Sequence, residues 1–411
     1  MRLRRVLVSL FVLAVVAAAC GGDDDTADTD AANIEADAAA DDGAVSGEAD
    51  VDESPTTTSP PQTTTTTTTE PPLPAIEPIG DGPYAVGVQT ITVAADHRDF
   101  DLTVDVWFPL VEGATGDAAR YAFVTGDYYD SPRALAVGLD QASDAGPFPM
   151  VVYSHGSGGI RFIHSDYTET IASHGYVVVA PDHAGNTAVE RVLGNADPFD
   201  LISYNRPLDV ISVIDGVLAN GAVAPLIDAE SIAVTGHSFG GFTSYAVASG
   251  ADNPIGATPA DPRVDALIPL APALALLTED DLARIDIPTL ILVGTDDTTT
   301  PVEPNVETPW AVSPASPHYR VELVAGEHQS FTDLCDYLEV VPDREGANPL
   351  VVDVITDMGV EGCSADDMPI ERVKELTNTF AVTFLESVFR GGEMITDETN
   401  SIPDDVIYDD K

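Results

Sequence analysis

Hydrophobic and polar residues are distributed differently in two parts of the chain. Residues 21–80 contain acidic and Thr/Pro-rich runs and lack aromatic and basic side chains. Such a segment has too little apolar surface to offset the entropy that it would lose on ordering, so it predicts a disordered linker. After residue 80, short apolar segments alternate with segments of helical periodicity over about 330 residues. This pattern is typical of one large α/β domain.

The folded part is predicted to begin with two antiparallel strands, 88–96 and 102–110, because polar and apolar residues alternate in both. Continuous apolar runs follow, and strands buried on both faces predict a parallel sheet. These runs are residues 149–156, 176–183, 231–238, 265–272, 288–297 and 319–328. Helices are predicted at residues 166–173, 206–218, 241–249 and 370–389. Five of the strands end in Gly, Ser, His or Asp, at the edge where parallel sheets place their sites.

The amino terminus predicts export. Arginines precede an apolar run, residues 6–19, that is too short to span a bilayer and is typical of a signal peptide. Small residues then lead to Cys20, a pattern that resembles a bacterial lipoprotein cleavage site at which the cysteine is lipidated. Ordinary secretion without a lipid is the alternative. We expect a signal peptide at 1–19, lipidated Cys20 with its linker at 20–80, an α/β domain at 81–395 and an acidic tail at 396–411.

The net charge limits the partners of the protein. The whole chain carries −52, and −40 of this remains on residues 81–411 after the three arginines and 15 acidic residues of residues 1–80 are set aside. Such a surface repels nucleic acid and anionic lipid, and salt weakens this repulsion. We therefore expect no nucleic-acid partner. The expected membrane contact is the lipid on Cys20. The expected substrate is neutral or cationic near its reactive bond, and the alternative is that the acidity serves only solubility.

The stretch "VTGHSFGGF", residues 234–242, places Gly236 and Gly240 two residues on either side of Ser238. This G-x-S-x-G spacing is that of a nucleophile elbow, although alone it fits a glycine-rich strand-to-helix turn equally well. Asp297 and His328 follow in the order serine, acid, histidine, each just beyond an apolar run. This order predicts a catalytic triad of Ser238, Asp297 and His328.

A second glycine-rich segment, "YSHGSGG" at residues 153–159, follows a strand upstream of the elbow. Acyl transfer needs hydrogen-bond donors for the oxyanion. The segment resembles the His-Gly-rich turn that supplies one backbone N–H in lipases and esterases, and the residue after the serine supplies the second, so we predict the backbone N–H groups of Ser157 and Phe239. A glycine-rich connector that binds no ligand is the alternative. His155 and His183 also end strands at this face, where they could line the pocket, although the favoured interpretation is that they satisfy buried loop groups. Neither of these two shows metal-ligand spacing with a second histidine or an acid, so no metal site is expected, and no cofactor is expected.

Several segments together resemble the platelet-activating-factor acetylhydrolase and predicted dienelactone hydrolase group of α/β-hydrolases. They are "SHGSGG", "IASHGYVVVAPDHAGNT", "RPLDVISVID", "GHSFGGFTSYA", "DPRVDALIPLAPAL" and "GEHQSFTDL", and "GTDDTTTPV" is similar to cutinase-like polyesterases. The resemblance covers roughly residues 85–390. It implies an α/β-hydrolase fold and a serine carboxylesterase without metal, acting on short or medium acyl esters, phospholipid-derived esters or polyesters. Dienelactone hydrolase activity is not implied, because that activity uses a cysteine nucleophile.

The resemblance leaves two candidates for the triad acid. In the acetylhydrolase branch the acid lies one strand earlier, in a segment resembling "RVDALIPLAP", which points to Asp265. In most α/β-hydrolases it lies in the later turn resembling "GTDDTTTPV", which points to Asp297 and, next to it, Asp296. Asp265 begins its apolar run, whereas Asp297 ends one and lies four residues before Pro301. Asp297 is therefore favoured, and Asp265 stays the alternative.

Cys335 and Cys363 are the cysteines that remain after Cys20. In an exported protein they are expected to pair, closing a loop that begins seven residues after His328, and two buried thiols are the alternative. Two functions remain open at this stage. The favoured one is an exported serine esterase, and the other is a non-catalytic surface lipoprotein that binds a ligand on the same fold. The sequence predicts no oligomeric state.

Overall fold

The computed structural model describes residues 73–123 and 126–411. The predicted signal peptide, Cys20 and most of the predicted linker lie outside these residues. Within them, no helix combines the length and the apolar character needed to cross a membrane.

One mixed sheet with helices on both faces organises the described residues. Its strands are β1 Val86–Val93, β2 Leu102–Pro109, β3 Asp117–Ala122, β4 Tyr128–Ala136, β5 Phe148–Ser154, β6 Val177–Pro181, β7 Ile227–His237, β8 Ala266–Leu270, β9 Thr289–Gly294, β10 His318–Leu323 and β11 Val406–Asp410. The helices are α1 Ser165–Ser173, α2 Ala188–Leu193, α3 Phe199–Ala219, α4 Phe239–Ser249, α5 Glu279–Leu282, α6 Val302–Asn305, α7 Glu307–Val312, α8 Leu334–Val340, α9 Pro349–Met358 and α10 Ile370–Arg390. Short 3₁₀ turns lie at Leu139–Gln141, Ala224–Leu226, Leu274–Leu276 and His328–Phe331.

The strand order is β11-β10-β9-β8-β7-β5-β6-β2-β1-β4-β3. The six strands from β10 to β6 are parallel to one another, as the continuous apolar runs predicted. β1 and β2 pair antiparallel, which confirms the predicted hairpin. The carboxyl ends of β5, β7, β9 and β10 therefore lie at one edge of the sheet, and the loops that follow them carry all the predicted site residues.

Two segments differ from the sequence expectation. β3 and β4 form a hairpin in which polar and apolar residues do not alternate strongly along the sequence. β4 also pairs parallel with β1. The predicted acidic tail contains β11, which pairs antiparallel with β10 at the edge of the sheet. Only the first residue of β11, Val406, is buried, so backbone hydrogen bonds rather than an apolar pattern hold this strand in place.

The hydrophobic core lies in two layers, one on each face of the sheet. On β5, Val151 and Tyr153 pack in the layer that includes α1 and α10. Met150 and Val152 pack in the opposite layer, which includes α3 and α4. Successive side chains of a strand point to opposite faces. Both faces are covered, which explains why β5 is apolar at nearly every position.

The end of β5 and the start of α4 approach each other closely at the backbone. A Cβ atom built on Gly240 would overlap the carbonyl oxygen of Ser154, and one built on Gly236 would lie 2.5 Å from the same oxygen. Both positions therefore require glycine, since no side chain fits between the two segments. This contact holds the residue between them, Ser238, beside the turn that follows β5.

Gly240→Ala is expected to lower the free energy of unfolding by about 1–3 kcal/mol or more, because the new methyl group overlaps backbone that cannot move aside. Urea denaturation measures the change. Gly221→Ala is the matched control, since a Cβ there meets nothing within 4 Å, and its effect should stay within about 0.5 kcal/mol. Equal stability of the two variants would contradict the close approach.

Candidate active site

Ser238 occupies a sharp turn between β7 and α4. Its backbone has φ 57° and ψ −118°, a conformation that residues other than glycine seldom adopt. The Ser238 N–H donates to the carbonyl of Leu270 on the neighbouring strand at 2.9 Å. Its carbonyl accepts hydrogen bonds from Gly241 at 2.9 Å and from Ala273 at 3.0 Å. The surrounding backbone thus maintains a conformation that is unfavourable in isolation, as nucleophile elbows do.

The structure brings together the three predicted triad residues. His328 Nε2 lies 2.9 Å from Ser238 Oγ, and His328 Nδ1 lies 2.8 Å from Asp297 Oδ2. Asp297 follows the carboxyl end of β9, and His328 follows the carboxyl end of β10. Because Asp297 accepts from Nδ1–H, the Nε2 atom of a neutral His328 is free to accept the serine proton.

The two competing acids lie elsewhere. Asp265 precedes β8 at the opposite edge of the sheet, where its carboxylate accepts a hydrogen bond from the backbone N–H of Ile232 at 3.0 Å. Asp296 is exposed and accepts from the hydroxyl of Thr295 at 2.8 Å. Of the three candidates, Asp297 alone contacts His328 in the structure.

The charges at the site favour an ionised acid beside a basic imidazole. Burial acts to raise the pKa of Asp297, but His328 and hydrogen bonds from Thr300 outweigh it and hold the pKa below its ordinary value. Burial acts to lower the pKa of His328, and Asp297 outweighs it, so the pKa lies above its ordinary value. A raised pKa makes the imidazole a stronger base for a serine proton.

Thr300 holds the acid in place. Its backbone N–H donates to Asp297 Oδ1 at 2.6 Å, and its hydroxyl lies 2.8 Å from Asp297 Oδ2 and 2.9 Å from the carbonyl oxygen of Ala271. The hydroxyl also lies 3.1 Å from His328 Nδ1. These contacts fix the orientation of the carboxylate toward the histidine.

Glu361 connects the acid turn to the disulfide. Its carboxylate accepts from the backbone N–H and hydroxyl of Thr298 at 2.8 and 2.7 Å, and from those of Thr299 at 2.9 and 2.6 Å. The carbonyl of Glu361 accepts from the N–H of Gln329, next to the site histidine, at 2.9 Å. Cys363, two residues on, forms the predicted disulfide with Cys335. One covalently closed segment therefore braces both the acid turn and the histidine turn.

His237 braces the histidine from the other side. Its Nε2 donates to the carbonyl of His328 at 2.9 Å, and the two rings lie 4.6 Å apart. Burial and the neighbouring His328 lower the pKa of His237 to about 3, so it stays neutral. Its Nε2–H is therefore a constant donor to that carbonyl.

The turn after β5 lies against Ser238. A Cβ atom built on Gly156 would lie 3.3 Å from Ser238 Cβ and 3.0 Å from His237 Nδ1. The N–H groups of Ser157 and Phe239, the two predicted oxyanion donors, have no acceptor within residues 73–123 and 126–411. Both remain available to an oxygen bound beside Ser238, which is the arrangement that a developing oxyanion requires.

His155 and His183 stabilise the loops rather than line a pocket. Both are fully buried. His155 donates through Nδ1 to the carbonyl of Gly156 at 2.7 Å and accepts at Nε2 from the N–H of His183 at 3.1 Å. His183 Nδ1 lies 2.9 Å from Asp209. The structure therefore favours the interpretation in which these side chains satisfy buried polar groups. In the described part of the chain, no group of three or more His, Cys, Asp or Glu residues has the arrangement of a metal site.

Sequence reasoning missed the residues that surround the triad. His237 is the variable position before the serine in G-x-S-x-G, and Thr300 lies in the Thr-rich turn, so local signals existed for both. Glu361 lies 64 residues after Asp297 and had no such signal. Only the fold brings its carboxylate to the acid turn.

Comparison with solved structures defines the fold. A ferulic acid esterase from Streptomyces cinnamoneus superposes with a TM-score of 0.62, covering 82% of this chain and 99% of that chain at 21% sequence identity. The chain has the α/β-hydrolase fold.

Sequence comparisons find similarity to acetylhydrolases and to a chlorophyllase. The family model for platelet-activating factor acetylhydrolase, isoform II, matches residues 123–197, which contain the turn after β5 but none of the triad residues. Platelet-activating factor acetylhydrolase of Cavia porcellus is 23% identical over 220 residues, 40% of this chain and 50% of the relative. Chlorophyllase-1 of Arabidopsis thaliana is 32% identical over 106 residues, 26% of this chain and 30% of the relative. The chain thus spans half or less of the length of these relatives.

Glu361→Gln is expected to lower the pKa of His328, because Glu361 is one of the negative charges that raise it. Less imidazole is then protonated at a given pH, and the titration of His328 moves to lower pH. NMR of ¹⁵N-labelled imidazole groups measures this pKa directly. Glu339→Gln, at an exposed glutamate on α8, is the control and should leave the titration unchanged. An unchanged titration in Glu361→Gln would contradict the electrostatic link.

Proposed function

We propose that this α/β-hydrolase is an exported serine carboxylesterase that hydrolyses neutral acyl esters of short to medium chain length, including phospholipid-derived or polyester substrates. The observation that carries the proposal is the hydrogen-bonded series Ser238–His328–Asp297 beside two unoccupied backbone donors. Two of the similar proteins are named for related chemistry, an acetylhydrolase and a ferulic acid esterase. No metal or other cofactor takes part in the proposed reaction.

The geometry supports a two-step acyl transfer. His328 Nε2 takes the proton of Ser238 Oγ as the oxygen attacks the ester carbonyl, and Asp297 stabilises the imidazolium that forms. The N–H groups of Ser157 and Phe239 donate to the oxyanion. The C–O bond to the leaving alcohol breaks as His328 gives it the proton, which leaves an acyl-enzyme. Water, deprotonated by His328, then attacks the acyl carbonyl and releases the carboxylic acid and Ser238.

Export on a lipid anchor is part of the proposal. The apolar run before Cys20 and the small residues next to it support it. The Cys335–Cys363 disulfide supports an oxidising compartment, since disulfides persist mainly in exported proteins. The acidic linker after Cys20 would hold the enzyme away from the membrane surface, from which its own negative charge also repels it.

Ser238→Ala is expected to abolish hydrolysis of p-nitrophenyl esters, because no other hydroxyl is in contact with His328 Nε2 in the described residues. Activity is measured as a chain-length series from acetate to palmitate on the wild-type protein and the variant. Ser387→Ala, on α10 with its hydroxyl bonded to the Phe384 carbonyl, is the control and should keep full activity. A wild-type protein without activity on any ester in the series would favour a binding lipoprotein instead.

Asp297→Asn is expected to lower kcat by about 10⁴-fold, the loss typical of a triad whose histidine takes the wrong tautomer. Asp265→Asn should leave kcat within about threefold and affect mainly stability, because Asp265 bonds only to the backbone at the far edge of the sheet. Steady-state kinetics and urea denaturation of both variants separate the two effects. If Asp265→Asn were the inactive variant, the acid assignment would move to Asp265.

A further inference from the structure

Arg206 lies beneath the two predicted oxyanion donors. Helix α3 carries it into the molecule, where it is fully buried. Its guanidinium donates to Ser154 Oγ at 2.9 Å, to the carbonyl of His155, and to Asn186 Oδ1 at 2.8 Å. It also lies 5.1 Å from the centre of the Phe239 ring. Arg206 therefore contacts the end of β5 and the turn after it, Asn186, which bonds to that turn, and Phe239, which follows Ser238.

The guanidinium also holds the turn indirectly. Asn186, which accepts from Arg206, donates through its side chain to Ser157 Oγ at 3.1 Å and accepts at its carbonyl from the N–H of Gly158 at 3.1 Å. The backbone on both sides of the Ser157 N–H is therefore bonded to Arg206 either directly or through one residue. This arrangement fixes the direction in which that N–H points.

The positive charge of Arg206 has no directly paired carboxylate. No acidic side chain lies within 4.0 Å of it among residues 73–123 and 126–411. The nearest acid along α3, Asp209, is bonded to Arg98 through both oxygens. Burial and the charge of Arg206 lower the pKa of His183 to about 4, and the pKa of His155 is also lowered well below its usual range. The guanidinium groups of Arg98 and Arg206 therefore share the single carboxylate of Asp209. These three side chains together keep a net positive charge.

This charge is unusual in a chain of net charge −52. Burying a guanidinium without a directly paired anion is costly, so a purely structural role would favour an ion pair or an apolar side chain at this position. Arg161, which follows the same turn, shows the usual arrangement, because it is paired with Asp105 at 2.9 Å and Asp182 at 2.7 Å. A buried charge without a direct ion-pair partner acts strongly on charge that develops nearby, even though Asp209 on the same helix offsets part of it.

We infer that Arg206 is a positioning residue for ester hydrolysis, which orients the Ser157 donor and supplies a fixed positive field for the oxyanion. The inference rests on the proposed esterase function. Because Arg206 is fully buried, it would act through the turn that it contacts and not by direct contact with the substrate. The positive charge stabilises the transition state, in which the carbonyl oxygen carries negative charge, more than it stabilises the uncharged ester.

The first test compares Arg206→Gln, Arg206→Lys and the control Arg161→Gln. Steady-state kinetics on p-nitrophenyl butyrate and the inhibition constant of phenylboronic acid, which forms a tetrahedral anionic adduct on the serine, are measured for each. Removing one direct oxyanion donor typically costs about 10²–10³-fold in kcat, so Arg206→Gln should lose about 10–100-fold with KM unchanged. The boronic acid should bind more weakly by a similar factor. Arg206→Lys should recover part of both losses, and Arg161→Gln should change neither by more than about threefold.

The second test keeps Arg206 and offsets its positive charge with a new carboxylate. It remains informative if the arginine variants do not fold. Asn186→Asp places a carboxylate where the Arg206 guanidinium already donates at 2.8 Å. The new ion pair should maintain or raise the stability while kcat falls about tenfold, because the field at the oxyanion is cancelled. Asn186→Ala controls for the loss of the side-chain amide and should lose less activity than Asn186→Asp.

The outcomes separate this inference from the proposed function. A wild-type protein that hydrolyses no ester contradicts the function and the inference together. A wild-type esterase in which Arg206→Gln and Asn186→Asp keep kcat and boronic acid affinity within threefold overturns the inference alone. Equal losses in Arg206→Gln and Arg206→Lys, with Asn186→Asp as active as Asn186→Ala, would also overturn the role of the charge.

Discussion

The close backbone contact between the end of β5 and the elbow is the constraint on which the site depends. Gly236 and Gly240 both face the carbonyl oxygen of Ser154, and no side chain fits between them. This contact places Ser238 directly beside the turn that begins at His155. Ser238 and one predicted oxyanion donor are therefore positioned by the same packing.

The site is braced on several sides by groups of different character. Thr300 and Glu361 hold the acid turn, His237 holds the carbonyl of His328, and the disulfide closes the segment that carries Glu361. Carboxylates thus lie around the histidine and raise its pKa, whereas the buried cluster around Arg206 is positive. The two polarities match the two charges of the proposed reaction, an imidazolium and an oxyanion.

The sequence predicted most of the sheet and the triad because those features have local signals. Buried parallel strands are continuous apolar runs, and the elbow needs two glycines at fixed spacing. β11 was missed because it is an edge strand with one buried residue, and Glu361 because its contacts join segments far apart in the chain. Arg206 lies in the quoted segment "RPLDVISVID", but its burial and lack of a paired carboxylate appear only when α3 is packed against the turn.

In the proposed reaction Ser238 becomes acylated, with His328 as the base. Mass spectrometry of the protein after acid quenching during turnover of p-nitrophenyl butyrate, followed by peptide mapping, locates the acyl group most directly. We expect a single butyryl group on the peptide that contains Ser238. An acyl group on a different residue during active turnover would contradict the assignment of Ser238 as the nucleophile.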